Sequence, residues 1–160
     1  MKIASRILSL LILIVISTFY MSCKKDDDDK DTDEKRQLDK LKGVWTIQSA
    51  NDGDDRTGEF TNLKLTLEGN YAEGGTYNYS FTGTRPDPSP WPEDGTWKFG
   101  TNKLTELIRD PGGIDEVEMT YQVTDTNLII SFNVPDGSTG WPGTGRVESV
   151  TGDWTFTFTK

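Results

Sequence analysis

The chain has 160 residues, with 17 basic and 26 acidic side chains, no histidine and one cysteine, for a formal charge of -9. Without imidazole there is no Ser-His-Asp triad, no Cys-His pair and no histidine-ligated metal, and one cysteine cannot close an internal disulfide or a four-cysteine zinc site. The acid excess opposes nucleic-acid binding, which needs basic side chains to displace counterions from phosphates. These exclusions leave a non-enzymatic domain of binding or structural type, with no cofactor, no metal and no nucleic-acid partner expected.

In chain order, Lys2 and Arg6 form a positive n-region, and Ile7 to Ile16 is apolar apart from Ser9. That run is too short to span a bilayer as a helix and reads as the h-region of a signal peptide. It ends at Tyr20-Met21-Ser22-Cys23, where small Ser22 precedes the only cysteine. The pattern resembles a bacterial lipobox, which implies cleavage after residue 22 and lipidation of Cys23. Tyr20 and Met21 depart from the usual leucine and small residue, so an ordinary secretory signal or an uncleaved anchor is the alternative. Cleavage there removes Lys2 and Arg6 but no acid, which makes the mature chain more acidic still. Membrane attachment then falls to the lipid, a diacylglycerol thioether and an N-acyl chain such as palmitate, at about 0.8 kcal/mol per buried methylene.

Residues 23–36 read as the lipidated cysteine and an acidic tether, since Lys24-Lys25-Asp26-Asp27-Asp28-Asp29-Lys30-Asp31-Thr32-Asp33-Glu34 is too charged to pack. The run is similar to the acidic export signal that Bacteroidetes lipoproteins carry after the lipidated cysteine. That similarity implies an outer-membrane protein facing the cell exterior. A plain spacer is the bland alternative, and Asp26 to Lys30 also matches an enterokinase tag. Clustered carboxylates on such a run lack the fixed cage that gives calcium affinity.

Residues 37–160 form the expected folded domain. Glu34 to Lys42 reads as a short charged helix with Leu38 and Leu41 three apart. From Gly43 the period changes to two. Tyr77, Tyr79 and Phe81 alternate with polar residues, as do Val117, Met119, Tyr121 and Val123, and then Trp154, Phe156 and Phe158. Val44 to Ala50, Asn62 to Glu68, Thr96 to Phe99, Lys103 to Arg109 and Asn127 to Val134 complete eight strands, with Gly74-Gly75 expected as a bulge in the third. Gly69-Asn70, Gly100 to Asn102 and Asp125-Thr126 read as hairpin turns. The alternate links, Asn51 to Thr61, Gly83 to Gly95, Asp110 to Asp115 and Pro135 to Gly152, are longer, and in a meander they all fall at one end.

The fold class predicted is all-β, an eight-stranded antiparallel up-and-down barrel with a short N-terminal helix. A leucine-bearing helical turn, Gly43-Val44-Trp45 opening the first strand and seven further meander strands ending on Trp154 to Lys160 resemble the lipocalin-like lipoproteins of Bacteroidetes. The resemblance covers nearly all of the mature domain. Lipocalins usually place an arginine late in the barrel to stack on the first-strand tryptophan, where this chain offers only Lys160.

The inward residues of such a barrel, from Leu63 to Phe158, are large and mostly aromatic, which favours a packed interior over an open calyx. Buried tyrosine hydroxyls, at Tyr77, Tyr79 and Tyr121, argue the other way because they need partners or water. Trp91-Pro92 and Trp141-Pro142 put indoles in two of the co-facial loops. Either they offer flat faces to a ligand, with Arg85, Asp87, Glu93, Arg109, Asp136 and Arg146 supplying polar contacts, or they fold down as lids over the barrel end.

Two functions follow. One is a surface lipoprotein binding a small apolar molecule or a glycan at the barrel mouth. The other is a structural or protein-interaction module of the envelope with a filled barrel. A carboxylate hydrolase is the minor third, as nothing fixes the spacing of two acids. The acids of Asn51 to Asp55 lack EF-hand spacing and read as a turn.

Overall fold

Alternation of buried and exposed side chains along successive strands leaves one apolar face to cover, and the sheet covers it by closing on itself. The computed structural model describes residues 32–135 and 150–160. The signal peptide, Cys23, the acidic run to Asp31, Asp136, Trp141 and Arg146 lie outside the described residues. Helix α1 (Asp33–Leu41) leads into strands β1 (Gly43–Asn51), β2 (Lys64–Glu68), β3 (Tyr77–Thr82), β4 (Asp94–Phe99), β5 (Glu106–Arg109), β6 (Val117–Val123), β7 (Asn127–Val134) and β8 (Gly152–Thr159). Each strand pairs antiparallel with the next, and β8 returns to β1 through Ile47↔Phe158 and Ala50↔Phe156, so the barrel is closed. Closure removes the free edges that an open sheet would expose.

The fold class is therefore the one expected, with local corrections. Gly69-Asn70 does not make a two-residue hairpin. The β2–β3 link runs to Thr76, and Gly74-Gly75 lies in it as a turn rather than as a bulge of β3. The cause is Tyr77, whose hydroxyl donates to Ala72 O at 3.0 Å and whose ring leaves a Cβ at Gly69 only 2.4 Å away. Strand β5 also starts later than expected. Asn102 Oδ1 accepts from Leu104 N at 3.1 Å and Glu106 Oε2 from Asn102 N at 2.9 Å, so Lys103 to Thr105 belong to the turn.

The base of the barrel is closed by α1. Thr32 caps it by accepting from Lys35 N at 3.1 Å, acids occupy its first turn, and Leu38 and Leu41 are fully buried. The helix starts within the stretch expected as tether, because Glu34 is buried and accepts from Gly74 N at 3.1 Å. Gly43 turns the chain into β1 with φ of 124°, a backbone conformation that L side chains rarely adopt. Trp45 is fully buried and donates its indole N–H to Leu41 O at 2.7 Å. Lys160 lies with Nζ 4.4 Å from the Trp45 ring centroid and donates to Lys40 O at 2.8 Å. A lysine thus provides the cation over this tryptophan.

The links β1–β2, β3–β4, β5–β6 and β7–β8 emerge at the opposite end from α1. The expected inward residues are buried, apart from Val117, which is partly so. Phe60, from the β1–β2 link, joins them with ring contacts to Trp154 at 6.0 Å and Phe156 at 5.2 Å.

Candidate functional site

The candidate site sits at the loop end and is built on the β3–β4 link. Trp91 does not offer a free face there. It is 3% exposed, and its ring lies 5.1 Å from Phe132, 5.2 Å from Phe81, 5.8 Å from Phe156 and 6.0 Å from Tyr79, all edge to face. The lid alternative is the one realised for this indole, because burial of its large apolar area outweighs exposure without a partner. Its N–H meets no acceptor in hydrogen-bonding geometry, and its approach to the Tyr79 hydroxyl falls short of one.

Two arginines hold the segment that carries Trp91. Arg85 Nη1 donates to Trp91 O at 2.8 Å, and its Nη2 pairs with Glu93 at 3.3 Å. Arg109 Nη1 donates to Pro90 O at 3.4 Å. The Arg109 side chain was expected as a polar contact among the loops; instead it is fully buried. Leu107 and Arg109 are two residues apart on β5, so both point inward. The guanidinium packs 6.0 Å from the Trp91 ring and 5.7 Å from that of Phe132.

Its charge is balanced by Asp110, whose Oδ2 is 3.4 Å from Arg109 Nε and accepts from Tyr79 Oη at 3.2 Å. Asp110 Oδ1 accepts from Thr96 N at 2.9 Å. Burial lowers the Arg109 pKa, opposed by Tyr79 and the carboxylates of Asp110 and Asp115. The sequence reading missed Asp110, having placed it only as the first residue of a loop. The signal available was its position directly after an inward arginine.

The structure therefore brings together Tyr79, Arg85, Trp91 and Arg109. It separates them from Tyr77 and Tyr121, which face the base, where Tyr121 donates to Lys103 O at 2.5 Å. All three tyrosine hydroxyls are spent on the protein itself. Asp87 is exposed, and Trp141, Arg146 and Cys23 lie outside the described residues.

Burial raises the pKa of both Tyr79 and Tyr121 well above the ordinary phenol value, and at Tyr79 the Asp110 carboxylate adds to the rise. A phenol that holds its proton more tightly when folded contributes stability fully present below about pH 10 and lost as pH rises further. Alkaline unfolding followed by circular dichroism should coincide with the ionisation absorbance of these two residues. In Tyr79→Phe the stability should fall less steeply above pH 10, and an unchanged slope would contradict this.

An open groove of about 650 Å³ lies along the wall formed by β5 to β8. Outward Glu106, Glu118, Thr120, Ser131, Asp153 and Thr155 contribute to its lining, so this concavity belongs to the outside of the barrel rather than to a calyx. Comparisons of the chain with protein-family models, with curated proteins and with solved structures yield no match.

Proposed function

We propose that this protein is a lipid-anchored, lipocalin-like lipoprotein of the bacterial outer membrane that acts without catalysis, as a rigid platform presenting its loop end to another component of the envelope. The observation that carries the reading is the filled interior. One set of ring contacts joins Tyr77, Trp97, Phe99 and Tyr121 toward the base, a second joins Tyr79, Phe81, Trp91, Phe132, Phe156 and Phe60 toward the loop end, all of these side chains are buried, and α1, Trp45 and Lys160 close the base. A barrel packed in this way has rigidity to offer rather than internal volume.

The chain enters the domain at the base, the end opposite the long loops. Those loops carry Ile114, a wholly exposed apolar side chain, and exposed Asp54. Lipidation at Cys23, export directed by the acidic run and exposure at the cell surface are parts of the same proposal.

The test is photo-crosslinking in intact cells, with the reactive residue placed at Ile114 or Asp54 and, as controls at the base, at Glu73 or Lys103. A discrete adduct from the loop-end positions alone is the expected outcome. Equal adducts from both ends, or none from either, would reject the platform reading. Cys23→Ser should abolish palmitate incorporation, and incorporation that persists would reject the anchor.

A further inference from the structure

We propose that the slot now filled by the Trp91 indole is a binding site for a small flat aromatic anion, such as an aryl carboxylate, with Trp91 as its intramolecular occupant. This goes beyond the platform reading and does not depend on it.

Three observations converge. First, the slot has the shape of a flat ring, since Tyr79, Phe81, Phe132 and Phe156 surround the indole at interplanar angles between 69° and 86°. Second, the present occupant fits the shape better than the chemistry. Its buried N–H has no acceptor in hydrogen-bonding geometry, whereas the strong donors beside it, Arg85 and Arg109, give hydrogen bonds to Trp91 O and Pro90 O of the same segment. A guest ring bearing a carboxylate would offer those donors a charged acceptor in place of neutral carbonyls.

Third, the segment is attached in a way that lets it lift. Backbone bonds fix its two ends, Thr84 N to Thr61 O at 2.9 Å and Phe81 N to Glu93 O at 2.7 Å. Between them, Ser89 makes a single β-bridge and the carbonyls of Pro90 and Trp91 are held by arginine side chains. Arg85 is paired with Glu93, whose side chain is 73% exposed, so exchanging that partner for an incoming anion loses little. Asp110 stays on Arg109, Thr96 N and Tyr79, which makes Arg85 the principal anion donor.

The test uses the isotope-labelled domain, with indole-3-acetate as the anionic probe and indole as its neutral counterpart. In the unmodified chain, indole-3-acetate should move the Trp91 indole N–H resonance in a saturable way, and indole should need at least about ten times the concentration. Removing the occupant in Trp91→Gly should tighten indole-3-acetate binding about ten-fold or more, because no closed state competes with the guest. Arg85→Gln retains Trp91 and should lose the preference for the anion.

A Trp91 resonance that stays fixed in the unmodified chain would overturn the proposal. So would a folded Trp91→Gly variant that takes both probes equally. Should Trp91→Gly not fold, the Arg85→Gln comparison decides, and an undiminished preference for the anion there refutes the site.

Discussion

Replacing Asp110 by asparagine should lower the unfolding free energy by about 3 kcal/mol, because it removes the charge of a carboxylate in direct contact with a fully buried guanidinium. Arg109 is fully buried between two aromatic rings, and Asp110 Oδ2 lies 3.4 Å from its Nε. The substitution isolates charge from backbone strain, since Asp110 has φ of 48° and asparagine tolerates that region nearly as well. Arg109→Met should be milder, at about 1 kcal/mol, because an unbranched apolar chain keeps most of the packing against Trp91 and Phe132.

The double variant should therefore lie near Arg109→Met alone. A coupling of about 3 kcal/mol between the two positions is the signature expected of a pair in direct contact. Urea unfolding with an unchanged m value is the measurement. Additive losses would mean that the two residues do not act as a pair.

Phe156→Ala should cost about 4 kcal/mol, in the range for removing a buried aromatic ring whose neighbours cannot collapse into the gap. Its ring touches those of Phe60, Trp91, Phe132, Trp154 and Phe158, at centroid separations from 5.2 to 6.1 Å. It thereby joins β7 and β8 to both loop-end plugs. Phe156→Leu should retain more than half of that stability, and Thr157→Ala, one residue along and facing outward, should change it by less than about 0.5 kcal/mol. Thermal and urea midpoints check all three; a loss at Thr157 comparable to that at Phe156 would show that the inside and outside of β8 are wrongly assigned.

The barrel was legible because its determinant is a local repeat. Val117 to Val123 and Trp154 to Phe158 show an unbroken period of two, and both strands run as that period requires. The alternation of link lengths was only partly legible. The β2–β3 link is longer than its glycines suggest, since Gly69-Asn70 and Gly74-Gly75 carry the same turn signal and the choice rests on where the ring of Tyr77 lies.

The site was least legible, and Trp91 shows why. A tryptophan flanked by prolines in a loop gives no periodicity, so nothing local says whether it points to solvent or into the barrel; that is decided by Phe81, Phe132 and Phe156, which come from three different strands. Arg109 was legible in principle. Its parity with Leu107 already put it inside, but a charged side chain reads as exposed until its partners, Asp110 and the carbonyl of Pro90, are found. Lys160 sits over Trp45 because a lysine stem reaches both the Trp45 ring and the carbonyl of Lys40.

The filled interior is the claim on which the rest stands, and fluorescence titration of the purified domain with cis-parinaric acid, an elongated non-aromatic probe that the flat Trp91 slot does not suit, tests it most directly. A barrel occupied by its own rings predicts only a weak, non-saturating rise in emission, the same in Phe156→Leu as in the unmodified chain. Saturable enhancement at one probe per domain would reveal an apolar chamber inside the barrel and contradict the account.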